Sequence, residues 1–173
     1  MATPAEIAGL VKTKFDGAVL ETALDGKLPY LVIETGRIMD VCAFLKESPE
    51  LQFDFLSAIA GVDQGEQLEV VYLLYSYSRR HAITLKVRVP RAEPVVPSVT
   101  AVWPAADWHE RETFDLMGIR FAGHPDLRRI LLPEDWVGHP LRKDYKYPES
   151  YDGITLRRDE EGWPDPGEEA LYK

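Results

Sequence analysis

Apolar positions in the first third of the chain alternate between helical and strand spacing. Residues 4–15 predict an amphipathic helix that Pro4 can begin, with apolar positions at Ile7, Leu10, Val11 and Phe15. Two short strands are expected next, over residues 20–24 and 28–33, around an Asp25-Gly26 turn. Residues 37–47 predict a second helix, because apolar residues recur at i, i+3, i+4 and i+7 as Ile38, Val41, Cys42 and Leu45.

The middle of the chain has the patterns of strands. Residues 68–77 form a continuous apolar run, which is typical of a strand covered on both faces. Residues 81–89 alternate, so one face of that strand is expected to be polar. Residues 53–60 fit a strand or a helical turn, 90–97 predict a proline-rich loop, and 99–103 predict a last short strand. This order predicts an α+β fold, with helices packed on one face of a mainly antiparallel sheet.

A third helix is predicted over residues 108–117, and its polar residues are not confined to one side. Asp107 is expected to cap it in a capping box with Glu110, and Gly118 to end it in a left-handed conformation. Arg111 can reach Asp115 at i+4. Apolar and charged residues point in every direction, so this helix is expected to be buried on all sides, with its charges paired.

Two explanations of this charged helix remain open. Glu110 and Glu112 need donors, and the nearest basic residues are Arg128, Arg129, Arg142 and Lys143. The region is either a junction that another chain helps to close, or a salt-bridge network within one domain. We hypothesise the junction.

The end of the chain differs from the rest. Residues 1–147 are expected to form the α+β domain, and residues 148–173 an extended acidic tail with almost no apolar periodicity. Such a segment cannot build a core of its own. It is either disordered or laid along a partner, and its aromatic residues Tyr151, Trp163 and Tyr172 favour the partner.

Composition excludes several classes of protein. The net charge of −9 argues against nucleic acid as a partner, because phosphate binding needs clustered basic residues. Cys42 is the only cysteine, so neither an internal disulfide nor a thiolate metal cluster is expected. The N-terminal residues do not resemble a signal peptide, and no apolar run approaches the roughly 20 residues of a membrane span. A soluble chain is therefore expected.

Candidate chemistry is sparse. His109, His124 and His139 lie at intervals of fifteen residues, which leaves a metal hydrolase as an alternative, although the spacing fits no HExxH helix. The chain has no phosphate-binding loop and no GxGxxG motif. Cys42 on an inward helix face is a poor nucleophile. Glu110, Glu112 and Asp115 do not share a face on which they could act together as acid and base.

One run of residues resembles a known family. It consists of Glu110-Arg111-Glu112, Asp115-Leu116-Met117, His124, Arg128, Ile130-Leu131, and then 132–136 and 138–145. This run resembles the signature of the 30 kDa (C) subunit of respiratory NADH:quinone oxidoreductase, complex I. The resemblance covers most of the chain outside the tail.

The resemblance implies a structural subunit of a proton-translocating complex, without cofactors of its own. FMN, iron–sulfur clusters and the quinone contacts are expected in other subunits, on the path from NADH to quinone. This subunit is expected to pack against the 49 kDa (D) subunit in the peripheral arm, on the cytoplasmic side of the bacterial inner membrane, so that it meets the membrane only through the complex. Equivalent subunits of membrane-bound hydrogenases and photosynthetic NDH complexes are alternatives. The expected docking residues are Glu110, Arg111, Glu112, Asp115, His124, Arg128, Arg129, Arg142, Lys143 and Asp144.

Overall fold

Five strands form the main sheet of the computed structural model, which describes residues 1–156. They are β1 (Val19–Ala23), β2 (Tyr30–Ile33), β3 (Phe55–Asp63), β4 (Gln67–Ser76) and β5 (His81–Pro90), in the spatial order β1-β2-β5-β4-β3. Only β2 and β5 run parallel, and the other neighbours are antiparallel. The mainly antiparallel sheet of the predicted α+β fold is therefore confirmed, and residues 53–60 contribute to a strand rather than a helical turn.

The first two helices supply apolar side chains to the core. Helix α1 (Pro4–Lys14) begins with a capping box between Thr3 and Glu6, and α2 (Ile38–Glu47) follows a short 3-10 turn. Their buried residues form one cluster with the inner face of the sheet, where Tyr72 and Leu85 are fully buried. Cys42 lies in this cluster, as its position on α2 predicts, and burial holds the pKa of its thiol well above the usual range.

The opposite face of the sheet carries an ionic ladder that the sequence pattern did not indicate. Glu69 of β4 accepts from Lys86 at 3.0 Å and from Arg88 at 3.1 Å, both on β5. Arg88 also donates to Glu21 of β1 at 2.7 Å. On this face Val71 is only half-buried, so the prediction that β4 is covered on both faces is wrong.

The predicted strand over residues 99–103 is wrong. The amides of Val102 and Trp103 both donate to the Val99 carbonyl, at 2.9 and 3.0 Å, and close a turn. The strand lies earlier, within the predicted proline-rich loop, as β6 (Val95–Pro97), and it pairs in parallel with β7 (Arg120–Ala122). Between these two strands runs the third helix, α3 (Ala106–Met117).

The chain divides into two units, Met1–Lys143 and Asp144–Lys173. The described part of the second contains a hairpin of β8 (Ser150–Tyr151) and β9 (Ile154–Thr155), turned by Asp152 and Gly153 with positive φ. The predicted roles of Trp163, Tyr172 and the acidic run of the tail lie outside the described residues, and the division at residue 147 stays a prediction. Within residues 1–156, no helix has both the length and the apolar character needed to cross a bilayer.

Candidate functional site

Helix α3 begins without the side-chain cap that the sequence predicted. Its N-cap is Ala105, which offers no side-chain acceptor, and Asp107 lies inside the first turn. The predicted capping box is therefore wrong, because Asp107 is already inside the helix and the Glu110 carboxylate accepts from Ser98 and Val99 instead. The predicted C-terminal end is confirmed, since Gly118 adopts a left-handed conformation with φ of 69°.

The carboxylate of Glu110 ties α3 to the segment that follows β6. It is completely buried and accepts hydrogen bonds from the Ser98 hydroxyl and the Val99 amide, both at 2.7 Å. Burial raises the pKa of Glu110, and these two hydrogen bonds only partly oppose the rise. No cation among the described residues forms an ion pair with Glu110, so its contacts are those of a polar anchor inside the domain.

Asp115 is the most heavily bonded carboxylate of the helix. One oxygen accepts from the guanidinium of Arg129 at 2.6 Å. The other accepts from three consecutive backbone amides, those of residues 130, 131 and 132, at 3.0, 2.8 and 2.9 Å. Burial alone would raise the pKa of Asp115, but the amide and Arg129 hydrogen bonds outweigh it, and the pKa lies below its usual value.

Residues 119–143, which we call the wrapping segment, supply donors to the C-terminal end of α3. His139 Nδ1 donates to the carbonyl of Asp115 at 2.8 Å, and Arg142 Nε donates to the carbonyl of Met117 at 2.7 Å. Helix C-termini leave such carbonyls without partners inside the helix, and cations there are favourable. Arg129 adds a bond to the Trp136 carbonyl at 2.8 Å, so the segment is bonded to the helix and to itself.

The predicted pair of Arg111 with Asp115 is wrong. Arg111 instead turns toward Asp107, four residues earlier, at 4.0 Å, and donates to the carbonyls of Arg128 and Arg129 at 3.3 and 3.4 Å. The side chain of His124 lies nearby. Its Nδ1 accepts from the Asp126 amide at 3.0 Å, which leaves the proton on Nε2 to donate to the Asp107 carbonyl at 3.2 Å.

The remaining docking candidates lie at the surface. Glu112 and the side chains of Arg128 and Lys143 are exposed, although the Lys143 amide donates to buried Asp63 at 2.8 Å. Within the part of the chain that the structure describes, the one ion pair of Arg128 is with exposed Asp126, at 2.9 Å. Asp144 is exposed and begins the second unit. Large apolar side chains are exposed in the same part of the first unit, on α3 and the wrapping segment, namely Trp108, Leu131, Val137 and Leu141.

The buried charges of α3 do not need another chain. Glu110 and Asp115 have all of the partners described above within the first unit, so the explanation of an internal network is the right one for these two residues. The other part of the hypothesis, that the ten named residues form a docking surface, stays a prediction. Only the exposed residues among these ten have side chains that a partner can contact, and the buried ones can act only by holding the frame of α3 and the wrapping segment in place.

The three histidines do not assemble a metal site. His124 and His139 each use a ring nitrogen on a backbone carbonyl of α3, and His109 is a half-buried residue of the helix itself. Among residues 1–156, no three histidine, cysteine or carboxylate side chains converge on a point where they could hold an ion. The metal hydrolase alternative therefore has no geometric support.

This arrangement defines an α+β domain in which α3 is fastened by its wrapping segment, and comparison with known proteins gives its family. The family model described as "Respiratory-chain NADH dehydrogenase, 30 Kd subunit" matches residues 31–151. The chain therefore belongs to this family, as the resemblance of the 110–145 run predicts.

Individual relatives agree with this assignment. The C subunit of the NADH-quinone oxidoreductase of Chlorobium phaeobacteroides is 44% identical over 131 residues, covering 73% of this chain and 79% of the relative. The corresponding protein of Roseiflexus castenholzii is 54% identical over 103 residues, covering 58% of this chain, and the match spans only 59% of the relative's length.

Two solved structures have similar folds. A trypsin-resistant fragment (1–134) of Nqo5 is 32% identical with a TM-score of 0.55, over 62% of this chain and 89% of the fragment. A chain of the membrane-bound sulfane sulfur reductase, an archaeal respiratory membrane complex, has a TM-score of 0.69 over 82% of this chain and 85% of its own length. It is 24% identical, so this second likeness concerns the fold alone.

The raised pKa of Glu110 predicts a pH dependence of stability that Glu110→Gln removes. A raised pKa means that the folded state binds more protons than the unfolded one. The stabilisation is therefore complete below pH 4.5 and is lost as the pH rises through the folded pKa. Glutamine stays neutral and keeps an acceptor for the Val99 amide. In urea unfolding between pH 4 and 8, the free energy of unfolding of the variant should increase relative to that of the parent as the pH rises.

A matched substitution separates charge from hydrogen bonding at this position. Glu110→Ala leaves the Val99 amide without an acceptor, and relative to Glu110→Gln we expect a loss of about 1–3 kcal/mol at every pH. A constant difference between Glu110→Gln and the parent across this pH range would contradict the assignment of a raised pKa.

Proposed function

We propose that this chain is a structural subunit, without cofactors of its own, in the peripheral arm of a proton-translocating NADH:quinone oxidoreductase. In this role it binds the 49 kDa (D) subunit and holds it in place on the cytoplasmic side of the inner membrane. Electrons pass from NADH through FMN and iron–sulfur clusters in other subunits to quinone. The family membership supports the complex, and the features of α3 support the docking role.

One observation carries the docking role: large apolar side chains are exposed on α3 and on the wrapping segment that is firmly bonded to it. Trp108 and Val137 are 63% and 81% exposed, whereas the Asp115 carboxylate beneath the wrapping segment is completely buried. Exposed apolar side chains bordered by charges are typical of protein-binding surfaces. Arg128 and Lys143 are exposed basic residues of the wrapping segment, and none of the hydrogen bonds described above that fasten α3 comes from their side chains.

Charge reversal at Arg128 tests the docking role. Arg128→Glu is expected to weaken binding of the co-expressed D subunit by about tenfold, because a rim charge is reversed. The isolated chain should keep its unfolding midpoint, since an exposed, solvent-screened pair such as Arg128 with Asp126 contributes little to stability. Binding is measured by pulldown and by titration at two salt concentrations.

Arg80→Glu provides the control, because Arg80 is an exposed arginine in the turn between β4 and β5. It should bind the D subunit like the parent chain. Equal binding by Arg128→Glu and the parent would remove Arg128 from the docking surface, and failure of the parent to bind would contradict the proposed function itself.

A further inference from the structure

A groove lies between β3 and α3, beside the wrapping segment. It has a volume of about 130 Å³, and its lining includes Ile59, Ala60, Gly61, Glu112, Leu116 and Leu141. An apolar cavity of about 150 Å³ accommodates one benzene molecule. The groove is therefore the right size for one apolar side chain, and its mixed lining suits a chain segment rather than a small polar ligand.

Gly61 allows α3 to lie this close to the strand. A Cβ atom at this position would lie 2.8 Å from Cγ of Met117 and 3.0 Å from Cγ2 of Thr113. Neither distance is compatible with ordinary packing, so the missing side chain fixes the approach of the helix. The close approach of α3 to β3 at the floor of the groove therefore depends on glycine at this position.

The strand that borders the groove has an unpaired edge. Within residues 1–156, β3 pairs with β4 alone, and it is the outermost strand of the main sheet. In an antiparallel pair, alternate residues direct their backbone groups away from the partner strand. Edges are usually protected by lysine, proline or shortness. Strand β3 has nine residues and neither lysine nor proline, with one register irregularity at Leu56–Ala58, before the groove.

A carboxylate at the rim of the groove indicates that the occupant carries a positive charge. Glu112 is exposed and has no ion-pair partner among the described residues. The other acidic residues of α3 all have contacts in the first unit: Asp107 with Arg111 and His124, Glu110 with Ser98 and Val99, and Asp115 with Arg129. Glu112 is thus the carboxylate of this helix that remains available to a cation from outside.

We propose, on the basis of the proposed function, that the groove receives an extended segment of the D subunit and is therefore a site of contact between the two subunits. The segment adds to the free edge of β3 and places one apolar side chain in the groove against Leu116 and Leu141. A lysine or arginine of the segment forms an ion pair with Glu112. Backbone pairing supplies affinity in such strand addition, and the side-chain pocket supplies specificity.

The test measures binding of the full chain to the co-expressed D subunit. Glu112→Lys is expected to weaken binding about tenfold or more. Leu141→Arg is expected to weaken it about thirtyfold, because Leu141 lines the groove and the longer charged side chain replaces an apolar contact there. Glu47→Lys, the same charge change on exposed α2, is the matched control and should bind normally. All three positions are exposed, so unfolding midpoints should stay close to that of the parent.

A photo-crosslinking residue at position 141 identifies the occupant, because this exposed position lines the groove. The expected product joins position 141 to a D-subunit peptide that contains an apolar residue near a lysine or arginine. Crosslinking to residues 157–173 of this chain, or to an acidic peptide, would overturn the proposal. Parent-like binding by both groove variants would also overturn it while leaving D-subunit docking intact, whereas absence of binding by the parent would contradict the docking function first.

Discussion

Replacing Asp115 with asparagine is expected to destabilise the first unit by about 3–5 kcal/mol, the cost of leaving a buried charge without its partner. The guanidinium of Arg129 loses its counter-charge at 2.6 Å. The asparagine amide group also turns a donor toward either Arg129 or the backbone amides of 130–132, which are donors themselves. Urea unfolding at pH 7 measures the loss. Faster tryptic cleavage after Arg128 or Arg129 would localise it to the wrapping segment.

The effect of Asp115→Asn should also depend on pH. The folded pKa of Asp115 lies below its usual value of 3.8, so its contribution to stability is complete above that value and is lost as the pH falls through the folded pKa. The gap between parent and variant should therefore be constant near neutrality and should narrow in acid. Asp126→Asn is the control, because its pair with Arg128 is exposed to solvent and should contribute little to stability. Equal losses in the two variants would contradict the anchoring role of Asp115.

Local spacing was sufficient to predict the elements that define the fold. The apolar positions of α1 and α2 recur at helical intervals because one face of each helix packs on the sheet. Gly118 was predictable from its place after the last helical residue, since a left-handed end favours glycine. The alternation along β5 likewise follows from having one face in the core.

The partners of the buried carboxylates could not be predicted in this way. Asp115 is bonded largely by backbone amides of residues 130–132, and a backbone amide is present at every position except proline, so the sequence carries no signal for it. Side-chain cations are the only donors that a sequence makes visible, and they do not provide enough partners for Glu110 and Asp115. The contact of Glu110 with Ser98 and Val99 could not be predicted either, because Ser98 and Val99 follow β6, whose short parallel pairing with β7 the sequence pattern did not indicate.

The docking residues that the sequence predicts differ from those whose side chains the structure leaves exposed. The family motif contains buried and exposed residues side by side, and only burial separates Asp115, which fastens the wrapping segment, from Glu112, which is exposed. A substitution that abolishes assembly through Asp115 would act by loosening the frame, and one at Glu112 would act at the surface. Stability measurements on the isolated chain distinguish these two mechanisms.

Gly118→Ala is expected to destabilise the protein by more than the roughly 1–2 kcal/mol of a left-handed non-glycine residue. The added Cβ would lie 2.8 Å from Nη2 of Arg142 and would overlap the ring of His139. Both side chains would have to move, and they donate to the carbonyls of Met117 and Asp115 at the end of α3. Losing one such bond costs about 1 kcal/mol, so we expect about 3 kcal/mol in total.

Gly123→Ala measures the backbone strain without the steric part of this effect. Gly123 has a similar positive φ of 83°, but no atom lies within 4 Å of an added Cβ. Its substitution should therefore cost only the backbone strain. The difference between the two variants in urea unfolding measures what His139 and Arg142 contribute by closing the end of the helix. If Gly118→Ala and Gly123→Ala lose the same amount, the two side chains can move aside freely and the wrapping segment is not fastened there.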